Sequence, residues 1–162
     1  MAKRVKKTTK QATVTKPVID ALAEISEAIT SDLYLEDILK LIVKVTAQVL
    51  GSKICSLMLL NKEGELEVKA TQSVSEEYNK KPNIKSGQGI AGMVIQTGKP
   101  MSVLDVRQNP RYINTEIARK ENLCSLLCVP LIFKGRAIGV LNSYTSKPHT
   151  FTQNEINILR SI

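Results

Sequence analysis

The chain has 162 residues, of which 43% are hydrophobic and 23% charged, and this composition fits one globular domain with a sizeable core. Its formal net charge of +8 would suit a nucleic-acid-binding protein if the charge were spread over the fold. However, six of the 23 basic residues lie in the first sixteen positions, which hold no acidic residue. We therefore expect a disordered basic leader over residues 1–16, a single domain over 17–162, and no nucleic-acid partner. Weak attachment of the leader to nucleic acid or anionic lipid is the alternative.

The apolar residues are not arranged for export or membrane insertion. No apolar run follows the basic start, and no stretch approaches the roughly 20 apolar residues of a membrane span. The cysteines, Cys55, Cys124 and Cys128, lie in apolar runs and form no C-x-x-C pair, which indicates buried, reduced thiols. A single histidine, His149, excludes a His-rich metal site. We expect a cytoplasmic protein without membrane association, bound metal or cofactor.

Two helices are predicted at the start of the domain. Pro17 opens the first, over residues 17–30, whose apolar positions repeat at a spacing close to that of a coiled-coil seam. The second, Leu35–Leu50, has a broader apolar stripe and ends at Gly51. We expect the second helix to cover a sheet.

Two β-hairpins are predicted from short apolar runs. Residues 54–60 are almost continuously apolar, as in a strand buried on both faces, whereas residues 65–71 alternate like a half-buried strand. The second hairpin joins residues 123–133 to 136–144, and both of its strands are apolar on both faces. Hairpins imply antiparallel pairing, and a sheet that is buried on both faces needs a cover on each side.

Short elements fill the segment between the hairpins. Ser73 and Glu76 have capping-box spacing at the start of a helix over residues 73–81. A helix over 90–97 and a strand over 101–106 follow. A last short helix over 114–121 is expected to hold a Glu116–Lys120 ion pair.

The chain ends in a further predicted helix. Thr152 and Glu155 form a capping box, and the apolar stripe of this helix reaches Ile162, so we expect the helix to continue into a following region. Together the elements predict an α+β fold with a central antiparallel sheet of five or six strands. Amphipathic helices cover one face, and the segment between the hairpins covers the other, with a cavity beneath it.

Gly87, Gly89 and Gly92 spell the G-x-G-x-x-G pattern that dinucleotide-binding proteins use at a pyrophosphate. Such a site needs a buried strand leading into the first glycine, but the residues before Gly87 are polar and interrupted by Pro82. We therefore interpret Gly87 and Gly89 as permitting an unusual backbone, and Gly92 as allowing close helix packing. A role for the helix start near Gly89 in binding an anionic or polar group stays open.

The residue types needed for catalysis are not grouped convincingly. No His or Lys lies near Cys124 or Cys128 to activate a thiol, and His149 is interpreted as a surface loop residue. Asp105 is the acid that we place at the cavity, with capping of the following turn as the alternative. We expect no enzymatic activity.

A series of short motifs occurs along the chain in this order: GQGIAG (87–92), TGKP (97–100), DV (105–106), NPRY (109–112), CVPL (128–131), GVL (139–141) and FTQNE (151–155). In their order and spacing, these motifs resemble those of a GAF domain, the small-molecule-sensing module of signalling proteins. The resemblance spans roughly Val18–Ile162. It implies a PAS-related fold with a ligand pocket between the sheet and a roof formed by the segment between the hairpins, which is called the insert.

The chain departs from the specialised members of that family. The cyclic-nucleotide signature is incomplete, because Ser143 replaces a lysine after Asn142. Free methionine-sulfoxide reductases need thiols near positions that Ala91 and Arg119 hold here. The insert cysteine of bilin carriers and the pocket histidine of haem carriers are also missing.

The resemblance therefore implies a non-catalytic sensory domain of a signal-transduction protein. It would bind an unknown small molecule, form a homodimer through its N- and C-terminal helices, and regulate an output domain. The candidate ligand-binding residues are Ile84, Gly87, Gly89, Ile90, Val94, Asp105, Ile117 and Leu126. The alternatives are a structural dimerisation module with a self-filled pocket and a thiol oxidoreductase of the free methionine-sulfoxide reductase type.

Overall fold

The computed structural model describes residues 16–30, 34–73 and 75–162. The predicted leader lies outside these residues apart from Lys16, which is the first residue of helix α1 (Lys16–Thr30). Helix α2 spans Leu35–Leu50, as predicted, and Gly51 ends it in the left-handed conformation with φ 61°. None of the helices in the described residues combines the length and the apolar character that a membrane span requires.

Within the described residues, six strands form one antiparallel sheet, in the order β3-β2-β1-β6-β5-β4. Their bounds are β1 Ile54–Leu60, β2 Glu65–Thr71, β3 Ile84–Lys85, β4 Met101–Val103, β5 Leu126–Phe133 and β6 Arg136–Tyr144. The central pair, β1 and β6, joins the two predicted hairpins. The predicted α+β architecture with an antiparallel sheet is confirmed.

Helices cover one face of the sheet. Helix α2 and the last helix, α6 (Gln153–Ser161), bury Val43, Ala47 and Leu159 against Leu57 of β1 and Leu141 of β6. Helix α1 lies outside this layer and packs against α2 through a smaller apolar cluster that includes Ile162. This agrees with the narrow stripe of α1 and the broad stripe of α2, because only α2 has both a sheet and a helix to cover.

The insert (residues 75–125) covers the opposite face. It contains α3 (Glu76–Asn79), α4 (Gly89–Thr97) and α5 (Thr115–Lys120). Buried residues from the insert, such as Tyr78, Ile90 and Val94, pack against Met58 and Val140 of the sheet. The two covers explain why the central strands are apolar on both faces.

The boundaries within and beside the insert differ from the prediction. Helix α3 is shorter than predicted because Ser75, and not Ser73, caps it, accepting a hydrogen bond from the Tyr78 N–H at 3.2 Å. The strand predicted over 101–106 ends at Val103, and β5 begins at Leu126. The two-residue strand β3 was not predicted, since it is defined only by its pairing with β2.

One predicted ion pair is wrong and one predicted cap is confirmed. Lys120 pairs with Glu77 of α3, at 2.9 Å, whereas Glu116 pairs with Arg119. The Lys120–Glu77 pair joins the two short helices of the insert. The Thr152–Glu155 capping box at the start of α6 is present in both directions.

Candidate functional site

A small, partly enclosed cavity lies between the sheet and the insert. Its volume is about 20 Å³, enough for one water molecule. The lining residues are Met58, Lys81, Ile84, Ile90, Ala91, Tyr112, Ile113, Asn114, Leu126, Asn142 and Tyr144. Larger depressions of about 180 Å³ between α1 and α2 and about 530 Å³ around His149 are more open grooves. The enclosed cavity is the candidate site because apolar walls and several polar groups converge on it.

Three buried tyrosines, Tyr78, Tyr112 and Tyr144, form a tyrosine cluster at this cavity. The ring centroids of Tyr78 and Tyr144 are 6.2 Å apart with an interplanar angle of 89°, and those of Tyr112 and Tyr144 are 6.4 Å apart at 77°. These are edge-to-face contacts, which are favourable between aromatic rings. The rings of Tyr112 and Tyr144 therefore form aromatic walls of the cavity, and Tyr78 packs against Tyr144.

The polar ends of the tyrosine cluster are hydrogen-bonded. The Tyr112 and Tyr144 hydroxyl oxygens are 3.2 Å apart, and the Tyr78 hydroxyl donates to Ser56 Oγ at 2.9 Å. Ser56 Oγ also accepts from Asn142 Nδ2 at 3.4 Å. Burial raises the pKa of Tyr112 to about 12 and raises the pKa of Tyr78 and Tyr144 well above the ordinary value of 10.0. The phenols are therefore neutral at physiological pH and do not act as bases.

Lys81 follows α3 and brings an amine to the cavity. Its Nζ lies 3.6 Å from the Tyr78 ring centroid and 5.4 Å from that of Tyr144. Burial lowers the pKa of Lys81 from 10.5 to about 7, and the charge of Glu121 opposes this shift in part. None of the described residues that line the cavity is acidic. The Lys81 amine therefore lies mainly against aromatic ring faces.

The G-x-G-x-x-G segment forms part of the roof. Gly87 and Gly89 have φ values of 80° and 62°, in the region that favours glycine. The Gly87 N–H donates to the Gly92 carbonyl at 2.8 Å, which folds the loop onto the first turn of α4. A Cβ at Gly92 would overlap the Lys85 carbonyl oxygen, so the close packing predicted there is confirmed. The preceding strand, β3, has two residues and is antiparallel, unlike the strand of a dinucleotide site.

The candidate residues from the sequence divide into two groups. Ile84, Ile90 and Leu126 line the cavity. The others lie outside the lining: Gly87, Gly89, Val94, Asp105 and Ile117. Val94 and Ile117 belong instead to the surrounding apolar core, and Gly89 lies beside Ile113 in the roof.

Asp105 caps the turn that follows it, which was the alternative to the predicted place at the cavity. Its Oδ1 accepts from the Arg107 backbone N–H at 2.9 Å, and its Oδ2 pairs with Arg107 Nη2 at 2.7 Å. The Arg107 guanidinium holds the pKa of this carboxyl below its usual range. Both of its oxygens are occupied by Arg107, so Asp105 does not present a free acid to the cavity.

Several residues that line the cavity were not among the candidates from the sequence, and Lys81, Tyr112 and Tyr144 are the most important of them. Aromatic residues make up only 4% of the chain, and three of its four tyrosines converge here. The scarcity of large aromatic side chains was the available signal, because a few buried tyrosines usually share a core or a site. Lys81 gave no signal, since it follows another lysine and precedes a proline in a polar segment.

None of the described residues that line the cavity is a cysteine or a histidine. Cys55, Cys124 and Cys128 are free and buried, as predicted. Ala91 lines the cavity, and Arg119 is on the surface paired with Glu116, so neither position offers a thiol. The described residues contain no group of three or more His, Cys, Asp or Glu side chains placed to hold a metal ion.

We expect the three thiols to be inert in the folded protein. Burial raises the pKa of Cys55 to about 12 and the pKa of Cys128 further, and Cys124 is also inaccessible. An aromatic disulfide reagent at pH 8 should modify the native protein at least on the order of 100-fold more slowly than the urea-unfolded protein, which should release three equivalents. A thiol that reacts equally fast in both states would contradict this and would revive the oxidoreductase alternative.

Comparison with known proteins places the chain in a family. Residues 33–162 match the family model described as GAF domain. The chain is similar to the Nif-specific regulatory protein of Azospirillum lipoferum, with 27% identity over 121 residues, which cover 73% of this chain and 19% of that protein. The chain thus spans about a fifth of the length of this curated relative.

Solved structures show the same fold. The GAF domain of a phosphoenolpyruvate-protein phosphotransferase from Coxiella burnetii superimposes with a TM-score of 0.78 at 25% identity, covering 90% of this chain and 87% of that one. Free methionine-R-sulfoxide reductase from Neisseria meningitidis, in complex with its substrate, gives a TM-score of 0.68 at 22% identity, covering 89% and 86%. The same architecture therefore occurs in a domain of a larger protein and in a free-standing enzyme, so the fold alone does not define the function and the residues of the site must be considered.

Proposed function

This chain belongs to the GAF domain family, and from this premise we propose that it is a non-catalytic sensory domain of a cytoplasmic regulatory protein. A small molecule would bind between the sheet and the insert. The observation that carries the proposal is the cavity at the tyrosine cluster, where apolar walls, two asparagines and a lysine converge, and where none of the described lining residues is a cysteine, a histidine or a carboxylate. The buried free thiols fit a reducing compartment.

The sheet provides a direct route from the cavity to the helices. Met58 and Asn142 line the cavity, while their chain neighbours Leu57 and Leu141 pack on the opposite face in the cluster with α2 and α6. Because adjacent residues of a strand point to opposite faces, a shift of β1 or β6 at the cavity also moves the residues beneath the helices. A ligand that prefers one position of these strands would bias the helices.

The first and last helices, α1 and α6, form the surface that we propose for dimerisation and for contact with an output region. Ile162 packs with α1 and α2, so the first and last helices share one apolar cluster. Ile19 of α1 is 56% exposed, and a groove lined by Ala21, Val45 and Val49 lies between α1 and α2. We propose that a second copy covers this surface and that an output region receives the signal through it.

Ligand binding is tested by thermal unfolding of the wild-type protein with amino acids, organic acids, nucleotides and quaternary amines. A ligand at about 100 times its dissociation constant should raise the Tm by roughly 5–10 °C, because binding to the folded state alone stabilises it. Ala91→Leu fills the cavity and should abolish the shift, whereas the surface change Lys62→Ala should leave it intact. A shift that Ala91→Leu preserves would place the ligand elsewhere.

A structural dimerisation module is the second candidate, and the small volume of the cavity favours it. The side chains that line the cavity, Lys81, Tyr112 and Tyr144 among them, leave only about 20 Å³ of it open. If no compound raises the Tm and the protein is a stable dimer by analytical ultracentrifugation, this candidate replaces the sensory one.

A further inference from the structure

Lys81 lies between the cavity and the ring of Tyr78. Lys81 lines the cavity, whereas Tyr78 is fully buried and does not. The Lys81 Nζ stands 3.6 Å from the Tyr78 ring centroid, which is direct contact with the ring face. Lys81 is buried enough to lower the pKa of its amine, but the residue keeps part of its surface in contact with solvent, which gives its side chain a way out of the cavity. Its departure would enlarge the cavity and expose the face of Tyr78.

The space that Lys81 fills is suited to a cation. The Nζ lies within 6 Å of two ring centroids, Tyr78 and Tyr144, and aromatic faces attract positive charge at that distance. Edge-to-face contacts hold both rings in place. The protein therefore contains an aromatic cation site that one of its own side chains occupies.

The surroundings disfavour a primary ammonium in particular. A protonated amine is best satisfied by charged hydrogen-bond acceptors, but the described lining residues offer its N–H groups neutral amide and phenol oxygens and no carboxylate. The low pKa of Lys81, about 7, reflects this cost of burial. A quaternary ammonium has no N–H group to satisfy and is weakly hydrated, and aromatic faces are its usual recognition surface.

We propose that the aromatic site of Tyr78 and Tyr144 binds quaternary ammonium compounds, and that such a ligand enters by displacing the Lys81 side chain into solvent. This inference rests on the proposed sensory function and names the ligand class of the same cavity. Lys81 then competes with the ligand for the aromatic site. The more strongly Lys81 interacts there, the higher the ligand concentration that is needed to displace it.

The charge of the ligand is tested by calorimetry with three probes of related shape. Choline is a quaternary cation, 3,3-dimethylbutan-1-ol is its neutral isostere, and ethanolamine is a primary ammonium. In Lys81→Ala, which vacates the site, choline should bind about tenfold more tightly than either of the others. Lys81→Met keeps the volume and removes the charge, so it should bind choline more weakly than Lys81→Ala at every pH.

Displacement of Lys81 is tested through the pH dependence of choline affinity. The groups facing the amine are the phenols of the tyrosine cluster, which stay neutral, and the Glu121 carboxylate. Moving Lys81 from the cavity, where its pKa is about 7, to water, where 10.5 is usual, takes up a proton above pH 7. Wild-type affinity for choline should therefore be flat below pH 6.5 and fall by up to tenfold per unit from pH 7.5 to 9. The affinity of Lys81→Ala should not change with pH, since choline carries a permanent charge.

Two results would overturn the inference. If Lys81→Ala binds choline and its neutral isostere equally tightly, or binds neither of them, the site does not select quaternary ammonium compounds. A wild-type affinity that does not fall between pH 7.5 and 9 removes the displacement of Lys81. Either result leaves the sensory function in place if another compound raises the wild-type Tm and Ala91→Leu abolishes that rise. If no compound shifts the Tm of the wild-type protein, both the sensory function and this inference are wrong.

Discussion

Tyr144→Ala is expected to lower the free energy of unfolding by about 3–5 kcal/mol, as truncation of large buried aromatic residues does. Tyr144 is 3% exposed and lies at the end of β6, where its strand pairs with Ile54 of β1 and Leu126 of β5. Its ring contacts both other members of the tyrosine cluster. The change would enlarge the cavity at the end of β6 and remove the ring against which Tyr78 and Tyr112 both pack.

Tyr144→Phe is the matched control. It keeps the ring and removes only the hydroxyl that lies 3.2 Å from the Tyr112 hydroxyl. We expect a loss of about 1 kcal/mol, the usual net contribution of one hydrogen bond. Urea unfolding of the wild type and both variants measures the two losses, with the m-value checking that each transition remains two-state. If Tyr144→Ala costs no more than Tyr144→Phe, the ring does not support the cavity as the structure indicates.

Gly92→Ala is expected to destabilise the protein by about 2–3 kcal/mol and to loosen the roof of the cavity. The added methyl group would overlap the Lys85 carbonyl oxygen, which belongs to β3 and is part of the backbone. Either α4 or β3 must then move, and the hydrogen bond from the Gly87 N–H to the Gly92 carbonyl is lost or lengthened. Hydrogen–deuterium exchange should show reduced protection of the backbone over residues 85–92.

Gly98→Ala separates packing from backbone conformation. Gly98 ends α4 with φ 64°, and nothing lies within 4 Å of a Cβ added there. The substitution therefore carries only the cost of an unfavourable φ, about 1 kcal/mol, and should leave exchange over residues 85–92 unchanged. Similar losses of stability and protection in both variants would show that the close approach of Gly92 to β3 is unimportant.

Local patterns were sufficient for most of the elements that lie outside the insert. The strand bounds 54–60, 65–71 and 136–144 and the helix Leu35–Leu50 were predicted as they occur. Each has an apolar period that extends over its whole length and a turn or glycine that ends it, and these signals act between residues close in the chain. The need for two covers followed because strands that are apolar on both faces must be buried on both.

The elements of the insert depend on contacts between distant residues. Strand β3 exists because Ile84 and Lys85 pair with β2, and α3 starts at Ser75 although Ser73 has the expected capping spacing. Lys120 reaches Glu77 of another helix in preference to its own neighbour Glu116. Short segments carry too few periodic residues for a pattern to outweigh such contacts, so their bounds follow from the tertiary fold.

The sequence by itself determined the fold class, the place of the cavity between sheet and insert, and the close packing at Gly92. Only the tertiary structure decided which side chains face that cavity. Lys81, Tyr112 and Tyr144 come from three segments that the sheet order and the path of the insert bring together, while Asp105 turns to Arg107. Spacing along one element cannot define such a site, because its geometry is set by how separate elements cross in space.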